Sequence, residues 1–264
     1  MKASRMKPSI VIPLLGKKLT KKGMHEYALK AYHYGYEGIE PELVPSWEED
    51  DMLDLMSSIK DIGLQIPAIG TGLVCNYGTF SDKNPNRKRC LSMVKKFIKI
   101  ASKAEASVVI STVKGWIRNK NSTEQIKTGM KECILFSKNF DVPLLIEPLN
   151  RYETDYINTA KEALELIEEL DATNVGILLD TFHMNIEEAS IPVSIRTSSS
   201  HIFHVHIADS NRRAPGFGHL NFDEIFSTLK EVGYSGFVSA EIFPLPSGRK
   251  ATEQTINALK MLTR

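Results

Sequence analysis

Cysteine is scarce and unpatterned: Cys75, Cys90 and Cys133 are odd in number and form no CxxC pair, which excludes a disulfide framework and a cysteine zinc site. A reducing cytoplasm is the expected compartment. Charge of one sign is also missing, since 33 Lys and Arg against 32 Asp and Glu leave a formal net charge of +1. The basic residues form no tail, so nothing recommends nucleic acid, and small neutral or singly anionic partners fit better. The short apolar run before Gly16 and Lys17 is too brief for a signal-peptide core or a membrane span. No G-x-S-x-G elbow and no Walker-A loop occurs, and Gly216 and Gly218 do not open a helix in the register of a nucleotide fingerprint. Hydride or phosphoryl transfer by a nucleotide therefore has no support.

What is present is a regular alternation. The 264 residues, 42% hydrophobic and 25% charged, suffice for one α/β barrel, and no repeat or linker divides residues 1–264. Apolar β-type runs are predicted at 9–14, 38–43, 65–70, 107–112, 143–148, 176–181, 201–208 and 236–243. Helical periods fall at 21–33, 47–62, 86–105, 123–140, 159–169 and 222–232, with a last one from Thr252. Gly35, Gly63 and Gly233 stand where helices should end in a left-handed residue. The segment 186–200, with Pro192 and a Ser/Thr cluster, predicts an interrupted helix. Eight βα units point to a (β/α)8 TIM barrel, with its site on the loops after the strand C-termini.

Four of these runs end on a charged or ligating residue: Glu147, Asp180, His206 and Glu241, at intervals of 33, 26 and 35 residues. Each interval is about one strand plus one returning helix, so the four tips can face a common point. In an open doubly wound sheet they would lie in a row. Two Glu, one Asp and one His suit a divalent cation such as Mn, Mg, Co or Zn. Such a cation beside two carboxylates suits proton abstraction next to a carbonyl.

Other residues gather near the same rim. Asp180 and His183 form D-x-x-H, with His183 expected in the loop after strand six. His204 and His206 share one face of strand seven, His204 as a supporting group, while Phe203, Val205 and Ile207 take the other. Arg212, in the loop after strand seven, can balance carboxylates or bind a substrate oxygen. The loop 71–85 is open between a surface loop and a lid.

The segments IEPLNRYETDYINT, VGILLDTFHMNIEEA, HVHIADSNRRAPGFGH and VSAEIFPLP, with AIGTG at 68–72, resemble the xylose isomerase-like barrel superfamily. Within it the chain is similar to the ketose 3-epimerases related to D-tagatose and D-psicose 3-epimerase, and in wording to a keto-uronate epimerase that interconverts 5-keto-L-gluconate and D-tagaturonate. The resemblance implies Glu147, Asp180, His206 and Glu241 as ligands of one divalent metal, Mn2+ first. It implies Glu147 and Glu241 as the two acid/base groups, inverting the carbon beside a ketone through a cis-enediolate. Glu153, His183 and Arg212 would bind substrate oxygens, and a homodimer or homotetramer is implied. Lys114 and Arg118 are the candidate partners of a substrate carboxylate. An aldose–ketose or hydroxypyruvate-type isomerase shares nearly the same ligands and stays open. An abasic-site endonuclease would need further histidines that strands three and four lack, and a non-catalytic sugar-binding barrel would not need the full set of bases.

Overall fold

The computed structural model describes residues 5–12 and 20–263. The chain runs β1 (Lys7–Val11), α1 (Lys21–Tyr34), β2 (Gly38–Glu40), α2 (Glu49–Ile62), β3 (Ala68–Gly70), α3 (Asn86–Ala104), β4 (Ser107–Ile110) and α4 (Ser122–Lys138). It continues through β5 (Leu144–Ile146), α5 (Ala160–Leu170), β6 (Val175–Asp180), α6 (Thr181–Glu187), α7 (Ile191–Thr197), β7 (Ile202–Ile207), α8 (Phe222–Glu231), β8 (Phe237–Ala240) and α9 (Gly248–Leu262). All strand pairs are parallel, in the order β2-β1-β8-β7-β6-β5-β4-β3. The two ends of that order meet where Ile39 N donates to Gln65 O and Gln65 N donates to Glu37 O, both at 2.9 Å. The sheet is thereby drawn into a barrel, and the strand tips converge.

The helices start and stop on local chemistry. Thr159 accepts from the Glu162 amide while Glu162 accepts from the Thr159 amide, a capping box that opens α5. Gly35, Gly63 and Gly233 follow α1, α2 and α8 with φ of 92°, 100° and 76°, as their positions in the sequence predict. The last helix begins at Gly248 rather than Thr252, because Ser247 accepts from the Lys250 amide and caps an extra turn. The first strand ends at Val11, and 13–14 of the expected run lie outside the described residues. Among the described residues, no helix is long and apolar enough to cross a membrane.

Strand alternation divides the core. Ile39, Leu144, Ile146, Ile177, Leu179, Val205, Ile207, Val238 and Ala240 belong to the apolar layer that also holds the helices. Ala68, Val109, Leu145 and Leu178 form a separate cluster from β3 to β6, inside the barrel. The opposite interior wall is polar: Ser9, Glu40, His204, His206 and Ser239 are all buried.

Two local expectations are corrected. The register between β6 and β7 slips, Ile177 pairing with Ile202 and Leu178 with His204. Phe203 is the extra residue, lies across Gly176 and is 42% exposed, so it leaves the buried face that Val205 and Ile207 keep. His183 sits in the first turn of α6 rather than in a loop, because Asp180 Oδ1 accepts from the Phe182 amide and starts the helix at once. The interrupted helix expected over 186–200 is the end of α6, then α7, then a 3-10 turn.

The long loop after β3 is anchored. Its Gly72–Tyr77 portion is a 3-10 helix, Val74 and Phe80 are fully buried, and Phe80 N donates to Val113 O at 2.8 Å.

Candidate metal and active site

The tips of β5, β6, β7 and β8 bring Glu147, Asp180, His206 and Glu241 together, with one ligand atom from each lying within 4.8 Å of all the others. Parity explains the convergence. Glu147 follows Leu145, Asp180 follows Leu178, His206 follows His204 and Glu241 follows Ser239 on the inward face, two residues apart in each case. Asp180 pairs with His206 in the β6–β7 register, and the Glu147 amide still bonds Ile110 O at 3.2 Å.

Arg212 joins the cluster from the loop after β7. Its Nη1 donates to Asp180 Oδ2 at 2.5 Å, and its Nη2 stands 2.9 Å from Glu241 Oε2. The guanidinium lies 4.8 Å over the Phe182 ring. The loop that aims it is folded on Asp209, whose carboxylate accepts from the amides of Ser210, Gly216 and Leu220. Gly218 packs so tightly on this carboxylate that a Cβ there would fall 2.2 Å from Asp209 Oδ1. Arg212 itself takes a φ of 59°, a left-handed backbone costing of order 1 kcal/mol.

His183 and Glu153 border the same space. The Asn150 amide donates to His183 Nδ1 at 3.2 Å, which leaves Nε2 to carry the proton, 3.9 Å from Glu147 Oε1. Burial lowers the His183 pKa and favours this neutral form. Asn150 Nδ2 also donates to Glu153 Oε1 at 2.9 Å, tying that exposed carboxylate to the rim.

The two expected carboxylate partners are placed differently from each other. Lys114 is fully buried and donates to the main-chain carbonyl of Glu147; burial lowers its pKa to about 8. Arg118 is exposed, 3.4 Å from Asp82, and outside the cluster.

The electrostatics separate the two glutamates. Burial pushes the Glu147 carboxyl up to about 8, with Glu241 adding repulsion. Burial also disfavours charge on Glu241, but Arg212 and the His206 hydrogen bond outweigh it and hold this carboxyl well below the usual range. The residues fit a divalent cation: the donors are three carboxylates and an imidazole, and buried Glu147 Oε1 has no hydrogen-bond partner.

Two carboxylates on the second strand and just after it belong here and were not expected. Glu40, at the tip of β2, places Oε1 2.6 Å from His204 Nε2 and Oε2 3.0 Å from His206 Nε2. The signal was present, since Ile39-Glu40-Pro41 repeats the Ile146-Glu147-Pro148 of the fifth strand. Glu42 lines a cavity of about 130 Å³ with Arg212, Glu241 and Phe243, and burial with the nearby Glu241 charge raises its carboxyl to about 7. A larger cavity, about 530 Å³, lies at the N-terminal end of the strands beside Gln65, Ser107 and Gly236 and touches none of the four clustered tips.

Comparison with known proteins gives one family and a consistent set of relatives. The model of the xylose isomerase-like TIM barrel matches residues 28–263. D-psicose 3-epimerase from Ruminiclostridium cellulolyticum is 39% identical over 127 residues, 48% of this chain and 43% of that protein. 3-Dehydro-D-guloside 4-epimerase from Escherichia coli is 42% identical over 96 residues, 36% of this chain and 37% of that protein. The aligned segments thus span less than half the length of these curated relatives. The crystal structure of D-psicose 3-epimerase with D-tagatose from Clostridium cellulolyticum H10 superposes with a TM-score of 0.79 at 26% identity, covering 97% of this chain and 98% of that one. With eight parallel strands, a closing bridge and a family match over most of its length, the chain belongs to the xylose isomerase-like TIM barrel family.

Proposed function

We propose that the chain is a divalent-metal-dependent sugar epimerase that inverts the carbon next to the ketone of a ketose or keto-hexuronate. The observation that carries this is the pair Glu147 and Glu241, two carboxylates brought into one cluster with Asp180 and His206 by the tips of four strands. Inversion needs both, because the proton must return to the face opposite its removal.

Glu147, Asp180, His206 and Glu241 would hold the cation, Mn2+ before Mg2+, Co2+ or Zn2+. When bound, the metal supplies Lewis acidity toward a ketone oxygen. The protein does the rest. One of Glu147 and Glu241 takes the proton beside the ketone and the other returns one. His183 Nε2–H faces the same space as a neutral donor to a substrate oxygen. Arg212 holds Asp180 and Glu241 in place and keeps Glu241 ionised. The names of the relatives, D-psicose 3-epimerase and 3-dehydro-D-guloside 4-epimerase, support chemistry at a carbon beside a ketone. A cytoplasmic homo-oligomer acting on small sugars accompanies the reading.

The test is metal-dependent formation of an epimer from a panel of ketohexoses, ketopentoses and keto-hexuronates, read by proton NMR. An aldose product would move the assignment to an aldose–ketose isomerase, and no turnover across the panel would remove the activity.

A further inference from the structure

Glu40 has no part in the cluster of four, yet it is among the most constrained carboxylates in the molecule. It is 3% exposed, it stands 166 residues from His206 in the chain, and both its oxygens are engaged. Oε1 takes His204 Nε2 at 2.6 Å and Oε2 takes His206 Nε2 at 3.0 Å. His204 is fixed in turn by Ser239 Oγ, 3.2 Å from its Nε2.

His206 therefore presents its two nitrogens to two different partners. Nδ1 faces Glu241 Oε2 at 2.9 Å, inside the four-residue cluster, while Nε2 faces Glu40 across the barrel interior. A neutral imidazole has one N–H, and only the nitrogen without it can offer a lone pair to a metal. Nothing in the geometry of His206 alone decides which nitrogen that is. Glu241 faces Nδ1 as a fellow member of the cluster, where a bound cation would stand in for a proton between them. Glu40 lies outside that cluster and is satisfied only by a proton on Nε2, which frees Nδ1.

The geometry points to Glu40 as the positioning residue that fixes His206 as an Nδ1 ligand, holding its ring plane and tautomer through the Nε2–H bond. His204 acts behind it by holding the carboxylate through Oε1, and Ser239 by holding His204. This rests on the metal centre proposed above, and it adds a β2 residue that the tips of β5 to β8 do not supply. Replacing Glu40 by glutamine keeps the shape but exchanges one acceptor for an NH2 group. That group must point at one of the two histidines, which then faces a donor where it needs an acceptor, while the other keeps only an uncharged carbonyl oxygen in place of a carboxylate.

The experiment is calorimetric titration of metal-free protein with Mn2+, for the parent, Glu40→Gln and Glu40→Asp, with thermal unfolding of each metal-free chain alongside. Glu40→Gln is expected to bind Mn2+ about 10- to 100-fold more weakly, with Glu40→Asp between it and the parent because charge is kept while reach is lost. A Glu40→Gln chain that loses thermal stability but binds Mn2+ within about twofold of the parent would overturn the proposal. A parent that binds no Mn2+ would overturn it together with the metal centre, which separates the two failures. Should the glutamine variant not fold, the parent decides. Histidine-15N-labelled protein saturated with Zn2+ should show His206 protonated on Nε2 with a slowly exchanging proton, and an unprotonated or coordinating Nε2 would overturn the proposal.

Discussion

Arg212 reaches Glu241 with Nη2 at 2.9 Å while the same guanidinium holds Asp180 through Nη1. One cation, 12% exposed, thus compensates two of the carboxylates that converge at the strand tips. Removing one partner of a buried ion pair leaves an uncompensated charge, at a cost of about 3–5 kcal/mol. Arg212→Gln should therefore lower the thermal midpoint of the metal-free protein, and added Mn2+ should recover more stability in the variant than in the parent. Equal metal-induced gains in the two proteins would refute this balance of charge.

Glu147→Gln and Glu241→Gln should each reduce epimerisation by at least about a hundredfold, the lower range for a positioned acid or base. The comparison needs metal content measured for each protein. Full activity in either metal-loaded variant would remove that residue from proton transfer.

The metal-free protein should carry a pH dependence from Glu147. Its carboxyl is raised to about 8 by burial, above its unfolded value of 4.5, so the folded state favours the protonated form. That contribution is fully present below the unfolded pKa and is lost as pH rises through about 8. Glu147→Gln is always neutral and lacks this loss. The thermal midpoint of the variant relative to the parent should therefore rise between pH 5 and pH 9 in chelator, and a constant difference would contradict the raised pKa.

Gly218→Ala tests the loop that aims Arg212. The added Cβ would meet Asp209 Oδ1 at 2.2 Å and Ser210 Oγ at 2.3 Å, and Asp209 cannot retreat without losing its three backbone amides. A loss of about 1–3 kcal/mol is expected, as for other overpacked sites, together with lower activity through displaced Arg212. Chemical denaturation reads the first and turnover the second. An unchanged midpoint would show that the loop yields freely.

The barrel and four of its tips were legible because their signals are local and repeated. Leu144-Leu145-Ile146 before Glu147 and Ile177-Leu178-Leu179 before Asp180 are apolar runs that end on a carboxylate, and parity carries each charge to the inward face. Glu40 was not legible in the same way. Its strand is three residues long, and Glu37, Glu40 and Glu42 make the segment look like an acidic surface. Only the pairing of β2 with β1, and the closure beyond it, carries this carboxylate to His204 and His206. Phe203 failed for the opposite reason, since a bulge breaks the alternation on which the face assignment depends. Lys114 and Arg118 share one short loop and the same charge, and only the packing of the Thr112–Lys114 turn buries one and leaves the other in water.

The most direct test of proton transfer between two carboxylates is to run the metal-loaded protein in D2O with each sugar of the panel that turns over, then quench with chelator and locate deuterium by NMR. One solvent deuteron at the carbon beside the ketone in every molecule of the epimer, with none elsewhere, is the expected result. An epimer that retains its original proton would contradict delivery by a second, solvent-exchanged base.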